Sequence, residues 1–423
     1  MKRKLLAASL LLLGLCTASR AEEKPSWAQI PNDPIYKNYT IPVVDISGQT
    51  ERQFLVDKEP GQYLGHPTTA LMGDGKTIYT VYPKAHADAP IVMKKSEDGG
   101  ITWSERLPTP KSWETNRMCP TIFRLADAND VFRVLVFSGT PDFMEGKVLP
   151  VRMSVSSDEG KTWSELEPLG EWGGVMAMSD IEPVHGKKGH YLAMFFSCGG
   201  YVDGGDTKWD EIKKRNGLEG KPGWQGYLEV GLHQTFTEDG GLTWSKPELI
   251  IESNDIHLIE PAIIRSPDGK KLAALIRDIS CRYPSQIIFS EDEGKTWTAP
   301  RPMPAALCGD RHTSVYTQDG RLFISFRDRP SRGMDSVTKG DWVAWVGTFD
   351  DLVNSREGQY RIRLMDDKHG YDCSYPGVLL LEDDTIVTTT YGRWTLNEPP
   401  YIMTVRLKLQ ETDEIWKKMT AEK

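Results

Sequence analysis

Between residues 66 and 392 the chain repeats one pattern of apolar and polar positions. Two apolar, β-branched-rich runs are joined by a short polar turn in HPTTALMGDGKTIYTVY from 66, CPTIFRLADANDVFRVLVFSG from 119 and IEPVHGKKGHYLAMFFS from 181. The pattern returns as IEPAIIRSPDGKKLAALIRD from 259, HTSVYTQDGRLFISFRD from 312 and YPGVLLLEDDTIVTTTYG from 375. Short apolar runs bounded by GDGK, SPDGK, TQDGR or LEDDT predict antiparallel hairpins, because Gly and Asp there accept the backbone angles of a tight turn.

A second repeat follows these hairpins. SEDGGITW at 96, SSDEGKTW at 156, TEDGGLTW at 237 and SEDEGKTW at 290 share S/T-x-D-x-G-x-T-W, and each follows an apolar or alternating run. The Asp can accept from backbone N–H groups of its own turn, the Gly allows positive φ, and the Trp anchors the turn by packing. Asp98, Asp158, Asp239 and Asp292 are therefore expected to be structural. Each hairpin plus the strands around its octapeptide makes a four-stranded antiparallel sheet from about 50 to 80 residues of chain. Six such sheets around an axis predict an all-β, six-bladed β-propeller spanning residues 22–423. In the fifth unit VAWVGTFDDL (343–352) stands where an octapeptide would be, and PPYIMTVRLKL supplies the third strand of the sixth. YTIPVVDIS near residue 40 is expected to close the ring as that unit's fourth strand, since closure removes exposed edges. The Gly-rich insert 199–224 is expected to be a loop over one face.

The N-terminus reads as a leader. MKRK, the apolar LLAASLLLLGLC and SRA before Glu22 have the form of a cleavable export signal at 1–21. A lipoprotein anchor at Cys16 is the weaker reading, because Leu15 stands where a small residue is needed. No later run approaches the ~20 apolar residues of a membrane span. Cys119, Cys198, Cys281, Cys308 and Cys373 show no metal-ligand spacing and read as free thiols in a chain large enough to fold without disulfides. A net charge of −9 argues against a nucleic-acid partner. No phosphate loop, dinucleotide fingerprint or HExxH is present, so neither cofactor nor metal is expected.

On its octapeptides and six hairpins, the chain resembles the sialidase superfamily, where the octapeptide is called the Asp box. The resemblance covers nearly the whole chain after the leader. It implies a site at the propeller axis, where innermost strands begin and second strands end. The strand starts then supply His66, Arg117 with Cys119, Asp180 and Glu182, Glu260, Arg311 with His312, and Tyr375; the second-strand ends supply Tyr82, Ser197, Arg277, Arg327 and Tyr391. Family sialidases use three arginines for the substrate carboxylate, an Asp as acid/base, a Tyr nucleophile activated by a Glu, and a second Glu that supports the first Arg. By resemblance Glu260 is the activating Glu, Arg277 the second Arg and Tyr375 the nucleophile. Arg327 or Arg329 is the third Arg, with Arg311 beside it. Asp88 in YPKAHADAP is the nearest match to the acid/base, and His86 can serve the same role. The chain departs from the pattern at two points: His66 stands where the first Arg is expected, and Tyr391 with Gly392 where its supporting Glu is expected.

The expected function is an exported, exo-acting glycoside hydrolase for a terminal anionic sugar, with an anionic glycan as partner. Two alternatives stay open. One is a hydrolase or lyase for uronate-bearing glycans, with His66 or His312 as proton carrier and Tyr375 as its partner. The other is a carbohydrate-binding propeller without catalysis. Arg117, Arg311 and Arg327 would need neutralising by a substrate anion or, internally, by Asp180, Glu182 and Glu260. Trp172, Trp224 and Trp394 are candidate sugar-stacking platforms, and the C-terminal DEIWKKMTAEK reads as solvated charge.

Overall fold

The computed structural model describes residues 38–139, 150–198, 230–253 and 256–421; the expected leader and the 199–224 insert, with Trp224, lie outside them. Every predicted hairpin forms. The pairs are Thr68–Leu71 with Ile78–Pro83, Thr121–Ala126 with Phe132–Ser138, and Val175–Pro183 with Tyr191–Cys198. They continue as Leu258–Arg265 with Leu272–Asp278, Gly309–Tyr316 with Leu322–Asp328, and Gly377–Leu380 with Ile386–Gly392. Each second strand pairs outward with a third, and the innermost strand of every blade touches those of the blades on either side, the sixth meeting the first. The protein is a six-bladed β-propeller. Its apolar cores lie between blades: Ala262, Leu275 and Ile287 of the fourth pack with Leu322, Phe326 and Trp345 of the fifth. Burying each of the Leu, Ile and Phe side chains among these stabilises by about 1.5–3 kcal/mol. At the closing seam an added Cβ on Gly377 would come 2.1 Å from Thr69 Oγ1, so only glycine fits.

The ring closes differently from the expectation. Val43–Asp45 pairs in parallel with Tyr360–Met365 on the outer edge of the fifth blade. The fourth strand of the sixth blade is instead Gln53–Asp57, antiparallel to Tyr401–Leu407. It is fastened to the first blade by Asp57, which accepts from Tyr82 Oη at 2.5 Å and Arg106 Nε at 2.8 Å. Tyr82 therefore serves closure. The first blade has three regular strands; Ser104 N and Leu107 N continue the edge by donating to Lys95 O and Met93 O, and prolines at 108 and 110 stop it there.

The Asp boxes do more than turn the chain. Asp98 Oδ1 accepts from Ser96 Oγ and from the N–H groups of Ile101 and Thr102, while Oδ2 accepts from Thr102 Oγ1 at 2.6 Å. The box glycines approach the preceding blade: a Cβ on Gly100 would meet Val387, on Gly160 Tyr79, on Gly241 Leu135, and on Gly294 Leu192. Each box therefore spaces two blades. In the fifth blade a helical turn, Phe349–Val353, replaces the box, capped reciprocally by Thr348 and Asp351.

Hydrogen bonds from Thr162, chiefly its hydroxyl, hold the Asp158 carboxyl at about 2, and those from Thr296 lower Asp292 in the same way. A folded value below the unfolded one of ~3.9 gives stability that is complete above that value and lost as pH falls toward 2. Asp158→Asn is expected to lower the urea midpoint at pH 6 and to converge on the unaltered protein near pH 2. An equal gap at both pH values would show that these bonds to the carboxylate contribute nothing.

The C-terminal segment is a helix, not free solvated charge. Leu409–Ala421 places Ile415 and Trp416 against the core shared by the fifth and sixth blades, and Asp413 takes paired 2.8 Å bonds from Arg321. Trp172 and Trp394 are buried in packing, the first stacked on Phe195 and the second donating to Tyr401 O. Cys119, Cys308 and Cys373 are buried free thiols, and Cys281 is a partly buried one.

Candidate functional site

The strands enter the axis through strained backbone. In the third, fourth and fifth blades the innermost strand slips register near its start, between Val175 and Asp180, Ile259 and Ala262, and Asp310 and Thr313. Within these bulges Met178, Glu260 and Arg311 have φ of 52°, 54° and 54°; His66 and Ser374, leading into the first and sixth innermost strands, have 52° and 59°. Side chains other than glycine pay about 1–3 kcal/mol each there, and such strain persists where surrounding structure enforces it. It gathers where five blades converge.

Register explains which side chains meet. Ile259 faces Arg277 in the fourth blade, and Asp310 faces Arg327 in the fifth. The two arginines are thus equivalent, and Asp310 occupies the position of an isoleucine between them. Arg277 Nε lies 2.7 Å from Asp310 Oδ1 as a charge contact without an aligned hydrogen bond. Arg327 donates to Asp310 Oδ2 from Nε at 3.0 Å and Nη2 at 2.7 Å. Arg329 Nη1 reaches the same oxygen at 3.3 Å and stays 41% exposed.

Arg277 turns its Nη1 to Glu260 and Tyr375. Nη1 is 3.0 Å from both Glu260 oxygens and 2.7 Å from Tyr375 Oη, and Tyr375 Oη donates to Glu260 Oε1 at 2.6 Å. The Arg327 guanidinium carbon sits 5.5 Å from the Tyr375 ring centroid. Burial pushes the Tyr375 phenol well above its usual value, Arg277 opposes that, and Glu260 adds to it. At rest the phenol is neutral, with its proton already aimed at Glu260.

Opposite this cluster stands a wall of rings. His66, buried, meets Tyr375 edge-on at 4.3 Å and His86 at 4.4 Å, and its Nε2 is 3.1 Å from Tyr391 Oη. The two departures from the sialidase pattern thus form one contact. Tyr391 Oη also donates to Asp372 Oδ1 at 3.1 Å, and Asp372 takes a bond from Tyr63 Oη at 3.0 Å. Burial drives His66 well below the imidazole range, aided by His86 and Arg327, so it is neutral near pH 7.

A cavity of about 500 Å³ joins the two walls, lined by Arg277, Arg327, Arg329, Tyr375, His86 and Asp372, with Lys339 and Tyr371 at its exposed side. A larger open groove of about 870 Å³ between outer turns, lined by His185, Asp268, Glu293 and Asp350, shares none of these residues.

Other expected residues lie apart. His312 directs Nε2 at Leu307 O (2.8 Å), stacks on Phe326, and is lowered to about 4 by burial. Arg311 donates to Ser179 O at 2.8 Å. Asp180 binds Ile263 N across blades, and burial raises it to about 6. Glu182 does not open its innermost strand: it sits opposite Leu192, well past the bulge, and pairs with Arg265. Arg117 and Asp88 form a 3.1 Å pair, 51% and 64% exposed, outside the cavity lining. Asp310, Asp372 and Tyr63 were not among the expected site residues. Asp310 stands where the fourth blade has Ile259, and Tyr63 and Asp372 lie in loops without a repeat.

The sequence matches the family described as BNR repeat-like domain over residues 134–387, more than half of the chain. The protein belongs to this BNR repeat-like family. Its fold is that of known propeller glycosidases. A Dyadobacter fermentans protein of unknown function superposes with a TM-score of 0.61 at 17% identity, covering 84% of this chain and 98% of that one. The Penicillium chrysogenum alpha-L-arabinanase, solved with arabinobiose, gives 0.54 at 12%, covering 85% and 98%. The intramolecular trans-sialidase from Ruminococcus gnavus, solved with oseltamivir carboxylate, gives 0.52 at 13%, covering 83% and 95%. No curated protein sequence matches the chain. At these identities the structural likeness concerns the fold alone. No helix among the described residues is long and apolar enough to cross a membrane.

Proposed function

We propose that this BNR repeat-like protein is an exported, exo-acting, retaining glycoside hydrolase for a terminal anionic sugar, with Tyr375 as nucleophile and Glu260 as its base. The observation that carries the reading is the 2.6 Å bond from Tyr375 Oη to Glu260 Oε1, with Arg277 Nη1 2.7 Å from the same phenol oxygen. A phenol attacks an anomeric carbon when a neighbouring base takes its proton as the bond forms, and a cation at hydrogen-bond distance stabilises the developing phenolate. An oxygen that starts neutral also meets less repulsion from a substrate carboxylate than an Asp or Glu nucleophile would.

Cationic groups support an anionic substrate. Arg277, Arg327, Arg329 and Lys339 line the cavity with Asp328 and Asp372; Arg277 and Arg327 are paired with Glu260 and Asp310, and Asp328 with Arg361, so the cations open to a ligand are the partly exposed Arg329 and the exposed Lys339. Arg277 and Arg327 form the fixed part of this anion clamp. The leader-like pattern of residues 1–21 supports export. The sialidase-type neighbours in fold support a glycan substrate.

A second reading rests on the His66–Tyr391 contact, which stands where the sialidase pattern calls for an Arg–Glu pair. A pocket altered there suits a uronate-bearing glycan, hydrolysed or eliminated. Incubating the purified protein with sialosides and with uronate-bearing oligosaccharides separates the possibilities. Hydrolysis is expected to release a terminal anionic monosaccharide, identified by mass. An unsaturated product absorbing in the ultraviolet would establish elimination instead, and ligand retained uncleaved would establish a binding protein.

A further inference from the structure

We propose that His86, not Asp88, gives and takes the proton at the glycosidic oxygen, held for that role by Tyr63 and Asp372. The proposal rests on the hydrolase reading above and assigns the one role that reading leaves unfilled.

The hydrogen bonds fix the tautomer. Asp372 as a carboxylate only accepts, so Tyr63 donates its single proton to it at 3.0 Å. The phenol oxygen is then free to accept, and His86 Nδ1 lies 2.9 Å away. Nδ1 therefore carries hydrogen, and Nε2 is the nitrogen left to exchange a proton. Asp372 Oδ1 is itself 3.6 Å from Nδ1, close enough to stabilise the imidazolium. His86 lines the cavity together with Tyr375, and the two rings contact the same buried His66 imidazole.

The competitors are placed otherwise. Asp88 is tied to Arg117 and does not line the cavity. His66 is buried, with Nε2 engaged by Tyr391. His312 is engaged at Leu307 O.

In the first step Tyr375 Oη bonds to the anomeric carbon and its proton passes to Glu260. The bond from that carbon to the leaving-group oxygen breaks, and the oxygen takes the proton from His86 Nε2. In the second step water bonds to the same carbon and yields a proton to His86, the bond to Tyr375 breaks, and Glu260 returns its proton to the phenolate. Enzyme and protons are restored.

His86 is faced by Tyr63, His66 and Asp372, and more remotely by Arg327, Glu260 and Arg277. The His86 side chain is 65% exposed, yet the protein packed around its ring lowers its titration below the usual imidazole value, and Asp372 opposes this. The acid form is thus lost as pH rises through a value under ~6.5, and kcat/KM falls there. Asp372→Asn is expected to move that alkaline limb further down.

The test uses the full chain with methyl and 4-nitrophenyl glycosides of N-acetylneuraminic, glucuronic and galacturonic acids. On the methyl glycoside that the unaltered protein cleaves, His86→Ala is expected to lose at least ~100-fold in kcat/KM. On the 4-nitrophenyl glycoside, whose leaving group needs no proton, the loss is expected to stay under ~10-fold. Azide should then accelerate turnover and yield the glycosyl azide, because it replaces the water that His86 no longer activates. Asp88→Asn should remain within ~3-fold on both substrates. Equal losses of His86→Ala on both glycosides without azide rescue, unchanged activity, or the leaving-group pattern on Asp88→Asn would each overturn the His86 assignment alone. Failure of the unaltered protein to cleave any of the six glycosides would instead sink the hydrolase reading, and the role of His86 with it.

Discussion

Tyr375→Phe is expected to lower kcat by a factor on the order of 10³ or more on any glycoside the protein cleaves, with the fold intact. Phenylalanine keeps the ring that packs on His66 and removes only the oxygen shared by Glu260 and Arg277. Glu260→Gln removes the base from the same unit, so the double variant should be hardly slower than the worse single one, as residues acting together are far from additive. Steady-state rates with circular dichroism on the three variants check this. A Tyr375→Phe rate within a few-fold of the unaltered one would remove Tyr375 from the chemistry.

The largest expected loss of stability is at Asp310. Its two oxygens meet Arg277 at 2.7 Å and Arg327 at 2.7 Å, with Asp310 and both arginines less than a tenth exposed. Asp310→Asn keeps the shape and removes the charge, leaving two buried guanidiniums near one remaining carboxylate, Glu260. Removing one partner of a buried ion pair costs about 3–5 kcal/mol because the others stay buried without compensation. Denaturant unfolding should show that loss, while Asp268→Asn, on an exposed turn beside Lys270, should change little. A stable Asp310→Asn protein would show that the arginines are solvated or otherwise paired.

The same residue marks a limit of reading this fold in sequence. Hairpins were legible because apolar runs and Asp/Gly turns recur, and those hairpins place Glu260, Arg277 and Tyr375 near one axis. Asp310 was hidden because its register mate in the fourth blade is Ile259; nothing in the repeat marks that position as polar. Bulges caused a second error. IEP at 181–183 and IEP at 259–261 read alike, yet Glu260 lies in a bulge while Glu182 lies beyond one, so identical letters occupy different places. Ring closure went astray because QFLVD is a half-buried edge with Leu55 exposed, weaker in pattern than the VVD that covers the fifth blade instead. In the last helix Leu409, Thr412 and Ile415, with Trp416, carry a helical period that its charged residues obscured. Tyr63, His86 and Asp372 come from loops brought together only by the closed ring; the family resemblance points to His86, and no spacing in the chain announces Tyr63 or Asp372.

The central claim is that Tyr375 becomes covalently bonded to the sugar. The direct measurement is to react the protein with a fluorinated glycosyl fluoride of the anionic sugar it releases, in which fluorine beside the anomeric carbon slows the second step, and then to map the labelled peptide by mass. The account predicts one sugar mass on the peptide containing Tyr375, absent in Tyr375→Phe. A label on a carboxylate, or rapid turnover with no adduct at all, would contradict it.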